Sequence, residues 1–332
     1  MEHDHIYAAL ARQGLIGADE RPSLEALTGG VSSEIYRLRL EGGDFCVKRA
    51  LPRLKVAQEW LAPVERADFE VAWIRVVQAF APEHVPQVIA SDARDHLFVM
   101  PYLPPEKNPV WKRELLEGRA GREFASQVGQ LLGRIHARTA GDATLASQFD
   151  NDHIFDPIRV DPYLRATARA HPECAAPLLE LARRTLATKL VLVHGDVSPK
   201  NILVGPGGPV FLDAETAWFG DPAFDLAFCL NHLLLKCIWR PESTAQYLDC
   251  FDALRSSYLD RVSWEPRSEL VTRAATLLGA FLLARIDGKS PVEYITKEED
   301  RERVRGVAIP LISEQVGELD EVRARWAIAV GV

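Results

Sequence analysis

Three polar side chains lie at the ends of short apolar segments in the second half of the chain. The apolar run Val191–Val193 is followed by Asp196, and Asn201 precedes a second apolar run. A turn at Gly205–Gly208 reverses the chain, and the next apolar run ends at Asp213. This spacing predicts one polar cluster built on a strand, a loop and a β-hairpin.

The register of the hairpin decides which of these side chains lie together. A loop of Pro206–Gly208 places Asn201 opposite Asp213 on the returning strand. Directly opposed residues of an antiparallel pair share a face, about 5 Å apart. We therefore expect an amide and a carboxylate to converge beside the loop that carries Asp196.

The chemistry that suits this set of groups is phosphoryl transfer from ATP. Asp213 and Asn201 offer the hard oxygen ligands that Mg²⁺ prefers. Asp196 is a separate carboxylate that can accept the proton of an attacking hydroxyl group. We predict Asp196 as the catalytic residue, Asn201 and Asp213 as metal ligands, and ATP and Mg²⁺ as cofactors.

The sequence of this segment resembles a known catalytic loop. His194–Asp196, with Asn201 and the later Asp213, is similar to the loop of the kinase-like small-molecule phosphotransferases. This family includes aminoglycoside phosphotransferases, choline kinases, methylthioribose kinases and fructosamine kinases. The resemblance implies an α+β, bilobal protein-kinase-like fold with a small β-rich lobe and a larger, mostly helical lobe. It also implies that Asp225 holds the catalytic loop by hydrogen bonds.

The same resemblance assigns the residues that bind the nucleotide phosphates. Lys48 ends an apolar strand and resembles the lysine that contacts the α- and β-phosphates. Its carboxylate partner is expected on the following helix, where Glu70 is preferred over Glu65 and Glu59.

A glycine-containing segment occupies the place of the hairpin that covers the phosphates. Gly29 and Gly30 allow close approach of the backbone, and Ser32 or Ser33 can donate to phosphate oxygens. The segment departs from the G-x-G-x-x-G pattern, as members of the resembling family usually do.

The connector between the lobes is expected where prolines accumulate after Met100. Backbone groups of Met100 and Tyr102 are assigned to the adenine base, and the lobes are placed at residues 1–103 and 104–332. Hydrophobic periodicity predicts a hairpin and a helix in the first lobe and helices in the second. The predicted elements are Glu34–Leu40 paired with Phe45–Ala50, Arg66–Phe80, short strands at Gln87–Ala90 and Leu97–Met100, Phe124–Arg138, Pro172–Lys189 and Pro222–Ile238.

Departures from protein kinases exclude a protein acceptor. Asp213 is followed by Ala-Glu, and seven residues separate it from Asp221, where the next helix begins. This leaves no room for a long activation segment, so a small hydroxylated acceptor is expected. A non-catalytic nucleotide-binding protein would lack one of the four central residues, all of which are present. They are Lys48, Asp196, Asn201 and Asp213.

Three further side chains near the motif have open or minor roles. Glu215 either supports the metal or the substrate or is solvated. Lys200 either contacts the γ-phosphate or points to solvent. His136 is expected to be a core histidine with one hydrogen bond.

The identity of the acceptor stays open. The acidic segment from Asp150 to Asp161 either attracts an amine-bearing, cationic acceptor or consists of turn and helix-cap residues. The first hypothesis is an aminoglycoside-phosphotransferase-like enzyme. The alternative is a metabolic kinase like methylthioribose or choline kinase, and a nucleotide-binding pseudokinase is less favoured.

Composition limits the partners and the compartment. The 332 residues are 47% hydrophobic and 26% charged, as in folded globular proteins. The net charge of −8 argues against a nucleic-acid partner, and no apolar stretch is long enough for a membrane span. The five cysteines have irregular spacing, so we expect buried thiols in a reducing cytoplasm, without disulfides or zinc.

Overall fold

The first part of the chain builds an antiparallel sheet with a helix on each face. The computed structural model describes residues 3–27, 32–53, 62–119 and 121–332. The elements of this part are α1 (Asp4–Arg12), β1 (Leu24–Ala26), β2 (Ser33–Leu40), β3 (Gly43–Ala50), α2 (Arg66–Gln78), β4 (Ala90–Asp92) and β5 (Leu97–Pro101). Among the described residues, the strands lie in the order β1-β2-β3-β5-β4.

The alternation of β3 directs Lys48 to one particular helix. Successive side chains of a strand point to opposite faces. Val47 and Val99 pack with α1 in one apolar cluster, whereas Phe98, which pairs with Lys48, belongs to the larger core that contains α2. The side chain of Lys48 therefore lies on the α2 face of the sheet.

The predicted elements of this part agree with the structure except at one strand. The hairpin of β2 and β3 and the helix α2 are confirmed, with α2 ending at Gln78. The strand expected at Gln87–Ala90 begins only at Ala90, because its pairing with β5 starts there, after an irregular segment that follows Pro86. The sequence analysis did not predict α1.

The rest of the chain is mostly helical. Its elements are α3 (Trp111–Leu116), α4 (Arg122–Thr139), α5 (Ala143–Gln148), α6 (Asp152–Phe155), a π-helical stretch (Asp156–Arg165), α7 (Ala166–Ala170), α8 (Ala175–Ala187), β6 (Val191–Val193), β7 (Ile202–Gly205), β8 (Gly208–Phe211), β9 (Trp218–Gly220), α9 (Pro222–Trp239), α10 (Thr244–Leu259), α11 (Arg267–Asp287), α12 (Glu298–Ser313) and α13 (Leu319–Ala329). Strands β7 and β8 form the predicted hairpin, and β6 pairs with β9.

Helix α9 is the centre of the helical part. Residues 222–238 are all buried, and α10 and α11 pack against the helix. A helix that is apolar on all sides is stable only inside a core. Asp221 caps its first turn by accepting from the N–H of Ala223 at 3.0 Å.

The predicted α+β bilobal fold class is confirmed, with the sheet and α2 first and the helices after them. The lobe boundary between residues 103 and 104 stays a prediction; β5 ends at Pro101 and α3 begins at Trp111. Among the described residues, no helix has the length and apolarity needed to cross a membrane.

Helices α4 and α10 approach each other too closely for a side chain at Gly129. A Cβ atom there would lie 2.3 Å from the Leu254 carbonyl oxygen. We expect Gly129→Ala to lower the free energy of unfolding by about 1–3 kcal/mol, because the helices must separate. Urea denaturation measures this effect.

The matched control is Gly306→Ala, in the middle of α12. No heavy atom lies within 4 Å of a Cβ at this position. This change should raise the free energy of unfolding by about 0.5–1 kcal/mol through helix propensity. Equal effects of the two changes would contradict the close approach of α4 and α10.

Candidate active site

One carboxylate of α9 holds the loop that carries Asp196. Asp225 accepts hydrogen bonds from the backbone N–H groups of His194 and Gly195, at 2.7 and 2.8 Å. Gly195 has a φ of +79°, and a Cβ there would lie 2.5 Å from the Thr216 carbonyl oxygen. This turn therefore requires glycine. The hydrogen bonds predicted for Asp225 are confirmed.

Asp225 is held in turn by a buried pair of side chains. Nε2 of His136 lies 3.3 Å from Asp225 Oδ2, and Nδ1 lies 2.8 Å from the Tyr258 hydroxyl. His136 is fully buried. It is a core histidine, as predicted, although it has two polar partners instead of one.

His194 connects the Asp196 loop to the strand that leads to Asp213. Its Nδ1 accepts from the N–H of Asp196 at 3.2 Å, and its Nε2 donates to the Leu212 carbonyl oxygen at 3.0 Å. Burial lowers the pKa of the His194 imidazole, which favours the neutral ring that both hydrogen bonds require. The ring therefore fixes the distance between the two carboxylate-bearing loops.

Asp196 is buried and lies between two cations. Its Oδ2 is 3.1 Å from Arg159 Nη2 and 3.3 Å from Lys200 Nζ. Arg159 also donates to the Gly195 carbonyl oxygen. Lys200 was expected either to contact the γ-phosphate or to point to solvent. Its side chain is 54% exposed, but its ammonium group contacts Asp196.

Arg159 was not found by the sequence analysis. It lies in the π-helical stretch, 37 residues before Asp196, and its side chain is 8% exposed. Its segment was interpreted only through its aspartates. A buried arginine has no local sequence signal, because its partner is brought to it by the tertiary fold.

Lys48 joins three distant parts of the chain. Its ammonium group contacts both oxygens of Glu70, at 2.9 and 2.7 Å, and Asp213 Oδ1 at 2.5 Å. The predicted pairing with Glu70 is confirmed. Of the two rival carboxylates, Glu65 lies in an ion pair with His153, and Glu59 lies outside the described residues.

The charges at this junction shift the titration of its members. Burial alone favours the neutral amine of Lys48, but Asp213 and Glu70 outweigh burial and raise the Lys48 pKa. Burial raises the pKa of Asp213, but the charges of Lys48 and Lys200 outweigh it and lower that pKa below its ordinary value. Burial raises the pKa of Glu70, against the opposing effect of Lys48. Asp213 therefore presents an ionised carboxylate.

Asn201 lies beside the loop that carries Asp196, but the register of the hairpin differs from the predicted one. The hairpin pairs Ile202 with Phe211 and has a two-residue loop, and the Leu212 N–H donates to the Asn201 carbonyl oxygen at 2.9 Å. The predicted direct opposition of Asn201 and Asp213 is therefore wrong by one residue. The reason is that Gly208, with a φ of +115°, already belongs to the returning strand.

Asp213 reaches the site by a local bend of the backbone. It follows the end of the hairpin with a φ of +66°, an unusual value for a residue other than glycine. Such strained positions concentrate at functional sites. Asn201 donates its amide N–H to the Asp196 carbonyl oxygen at 3.1 Å, which leaves its amide oxygen as the group that can bind a cation.

The predicted phosphate-covering segment is described only in part. Gly29 and Gly30 lie outside the described residues. Ser32 accepts at its carbonyl oxygen from the Leu51 N–H at 3.0 Å and from Arg66. The nearby Ser33 is buried in β2. Hydrogen bonding of either serine to phosphate stays a prediction.

The predicted adenine connector follows the sheet edge. Met100 is in β5 opposite Cys46, and the N–H of Tyr102 donates to the Asp44 carbonyl oxygen at 3.0 Å. The guanidinium of Arg37 lies over the Tyr102 ring at 4.5 Å. Contact of Met100 and Tyr102 with adenine stays a prediction.

Glu215 is buried rather than solvated, and its carboxylate is already paired with an arginine. It is 6% exposed and its Oε2 accepts from Arg66 Nε at 3.0 Å. Arg66 is fully buried and donates in addition to the backbone carbonyls of Ser32, Leu51 and Pro63. This arginine, which no sequence motif marks, connects Ser32 of the predicted phosphate-covering segment to the loop of Asp213.

The fold is shared with solved small-molecule kinases. Choline kinase from Cryptosporidium parvum superimposes with a TM-score of 0.56 and 13% identity, over 97% of this chain and 99% of that one. An amicoumacin kinase in complex with AMP-PNP and Ca²⁺ has a TM-score of 0.57 and 12% identity, over 89% of each chain. The predicted protein-kinase-like fold is therefore confirmed.

The sequence comparisons define the family. The family model of the phosphotransferase enzyme family, APH, matches residues 23–270, and the chain belongs to this family. Methylthioribose kinase from Yersinia pseudotuberculosis is 26% identical over 252 residues, which are 68% of this chain and 60% of the relative. The chain thus spans about three fifths of the length of that curated relative.

The hydrogen bonds of Asp225 should control catalysis through the position of the loop. In Asp225→Asn, an amide nitrogen replaces one acceptor and faces a backbone N–H. We expect a fall in kcat of about 10²-fold, since small displacements of catalytic groups have effects of that size. The KM for ATP should change little, and steady-state kinetics measure both constants.

The control for this prediction is Asp221→Asn on the same helix. Asp221 caps α9 and accepts from Arg273 at 3.1 Å, away from the catalytic loop. It should lower stability with little effect on kcat. Equal losses of kcat in the two variants would show that α9 stability, and not the loop contact, limits activity.

The buried pair of Arg66 and Glu215 should stabilise the folded protein. We expect Arg66→Met to cost about 3–5 kcal/mol of unfolding free energy, because it leaves Glu215 buried and unpaired. Glu215→Gln should cost less, since the amide oxygen still accepts. Chemical denaturation of both variants and of the double variant measures the coupling energy, and a coupling energy near zero would contradict the pairing.

Proposed function

We propose that the chain transfers the γ-phosphate of ATP to a hydroxyl group of a small molecule. The observation that carries this proposal is the position of Asp196. Its buried carboxylate lies on the loop that also carries Asn201, and His194 joins that loop to the strand preceding Asp213. A general base therefore lies beside a cluster suited to a metal-bound triphosphate. The membership of the chain in the phosphotransferase family supports the same activity.

On the nucleotide side, Lys48 binds phosphate oxygens while Glu70 keeps its ammonium group in place. Asn201 and Asp213 would hold Mg²⁺, and their donor chemistry fits this ion, since one offers a free amide oxygen and the other an ionised carboxylate. Bound Mg²⁺ neutralises charge on the transferring phosphoryl group. Among the described residues, no cluster of three or more His, Cys, Asp or Glu side chains suits a metal.

On the acceptor side, Asp196 orients the hydroxyl group and accepts its proton. Arg159 and Lys200 approach Oδ2 most closely, so we assign Oδ1 to the hydroxyl. The hydroxyl oxygen forms a bond to the γ-phosphorus as the bond to the β–γ bridging oxygen breaks. The proton passes to Asp196 and ADP leaves with the bonding electrons.

Methylthioribose is the first neutral acceptor to test. The curated relatives that match this chain include methylthioribose kinases from Yersinia and from rice. The aminoglycoside and choline alternatives rest on likeness of fold alone. The absence of nucleic-acid and membrane partners stays a prediction. The cytoplasmic location also stays a proposal, supported by five cysteines that are buried free thiols.

Two substitutions separate nucleotide binding from chemistry. Asp196→Ala should lower kcat about 10²–10⁴-fold, the usual contribution of a general base, and leave the Kd of ATP nearly unchanged. Asp213→Ala should abolish Mg²⁺-dependent binding of ATP. Coupled ATP-consumption assays and calorimetry measure these constants.

Asp150→Ala is the matched control, because this aspartate is exposed and distant from the loop in sequence. It should behave like the parent protein. Full turnover in Asp196→Ala would show that another group accepts the proton. Unchanged Mg²⁺-dependent binding in Asp213→Ala would overturn the assigned metal ligand.

A further inference from the structure

The surroundings of Asp196 away from Lys48 are cationic. Arg159 and Lys200 both contact its carboxylate, from the π-helical stretch and from the catalytic loop itself. The acceptor is assigned to this side, because Lys48 and Asp213 are assigned to the nucleotide. Any acceptor that brings its hydroxyl to Asp196 therefore meets positive charge first.

A chain of buried side chains connects Asp196 to the helices α9 and α11. The guanidinium of Arg159 lies 6.0 Å from the Phe228 ring centroid. Phe228 packs against Tyr163 at 5.4 Å and against His232 at 5.3 Å. Arg285 of α11 donates to the Tyr163 hydroxyl at 3.2 Å. The contacts connect the catalytic carboxylate to a second arginine.

A buried lysine lies one helical turn beyond His232. Lys236 is 1% exposed, and its ammonium group lies 5.2 Å from the ring centroid of Tyr294 and 5.5 Å from that of Trp239. No carboxylate of the described residues forms an ion pair with it. The neighbouring Lys112 contacts the same two rings and pairs with Glu293.

Among the side chains that lie between Asp196 and Lys236, positive charges outnumber negative ones. The five cations are Arg159, Lys200, Arg285, Lys236 and Lys112, and the carboxylates among them are Asp196 and Glu293. Five minus two leaves a formal excess of three. Asp213, which also acts on Lys200, is already paired with Lys48.

The titration of two buried groups reflects the surrounding positive charge, and it leaves Lys236 only partly protonated near neutral pH. Burial lowers the pKa of His232, and the charges of Arg285, Lys236, Lys200 and Lys112 lower it further. Burial, together with the charge of Lys112, lowers the pKa of Lys236 to about 7. Both groups therefore lie in a field of uncompensated positive charge.

The aspartates that suggested a cationic acceptor are already paired elsewhere. Asp152 pairs with Lys189, Asp156 with Arg165, and Asp161 with Arg169. Asp150 is exposed at the surface. A cationic acceptor remains untested, but these contacts remove the charge that favoured it.

We propose that the acceptor is a hydroxylated small molecule that carries a carboxylate or a phosphate group, and that Lys236 and Arg285 bind this anionic group. The inference rests on the proposed phosphotransferase function and names its substrate class. A helix rises 1.5 Å per residue, so the Cα atoms of Phe228 and Lys236 lie about 12 Å apart along α9, and the long lysine side chain can cover part of this distance. The acceptor is therefore an extended molecule, with the reacting hydroxyl group at one end and the anion towards the other.

The cost of the buried charges explains why a ligand is expected there. An unpaired cation inside a protein is strongly unfavourable, and such groups concentrate at functional sites. Nε of Arg285 is buried without a hydrogen-bond partner in the described residues. An anionic oxygen supplies both the missing acceptor for Arg285 and the missing charge for Lys236.

The test uses six-carbon polyols that differ at one end. D-glucitol is neutral, D-gluconate and D-glucitol 6-phosphate are anionic, and D-glucamine is cationic. Thermal stabilisation of the full chain with ADP and Mg²⁺ reports binding, and ATP consumption reports transfer. We expect stabilisation by one or both anions, and their comparison distinguishes a carboxylate site from a phosphate site.

Lys236→Met removes the charge and keeps the length of the side chain. It should weaken binding of the anionic probe about thirtyfold, as expected when one partner of a buried charged pair is lost, and leave the KM for ATP unchanged. Without a probe, its melting temperature should rise, because an unpaired buried charge has been removed. Lys297→Met, at an exposed lysine, is the matched control and should change neither property.

Each result decides between the possibilities. The anionic site is overturned if glucitol or glucamine stabilises the protein as much as the anionic probes do. It is also overturned if no probe stabilises the parent protein more than it stabilises Lys236→Met. A lower melting temperature in Lys236→Met with equal losses for all probes shows a structural lysine and also overturns it. Failure of the proposed function is distinct, since ATP and Mg²⁺ would then give neither stabilisation nor ATP consumption with any acceptor, methylthioribose and choline included.

Discussion

Negative charge stabilises a buried ammonium group, and Lys48 organises the nucleotide side of this site through two such carboxylate partners. Lys48 belongs to β3, Glu70 to α2, and Asp213 to the loop after β8. Separating any of these elements would leave a buried charge without a partner, at a cost of several kcal/mol. The sheet, the helix and the helical part of the chain are therefore held in one arrangement before a nucleotide binds. In the proposed function, phosphate oxygens would compete with Asp213 for the lysine and would expose the Asp213 carboxylate to a metal ion.

Helix α9 extends the same organisation to the acceptor side. Four of its buried residues follow one another at intervals of three or four, which is the spacing of neighbours along a helix. Asp225 holds the catalytic loop, Phe228 contacts Arg159, and His232 and Lys236 follow in the next two turns. Because the helix is packed on all sides, it fixes the distance between the catalytic aspartate and the distant cations. If both proposals hold, this core helix sets the position of the catalytic loop and that of the cations that bind the acceptor.

The sequence predicted residues whose roles depend on local motifs and missed those that act through tertiary contacts. Lys48, Asp196 and Asp225 lie in short segments whose residue types restrict their function. Arg66 and Arg159 are ordinary arginines in sequence, and only the fold brings Glu215 and Asp196 to them. The predicted hairpin register was wrong by one residue, because glycine permits either a two- or a three-residue loop. A shift of one residue changes every pair of the hairpin.

Arg159 and Lys200, the two cations beside Asp196, differ in how firmly they are held. A carboxylate that must receive a proton gains nothing from neighbours that occupy it permanently. Arg159 is buried and also donates to the Gly195 carbonyl oxygen, so its position is fixed by the loop. Lys200 is half exposed and has a flexible side chain, so it can move from Asp196 to an incoming anion. Of the two cations, only Lys200 can therefore leave the carboxylate when a hydroxyl group approaches Asp196.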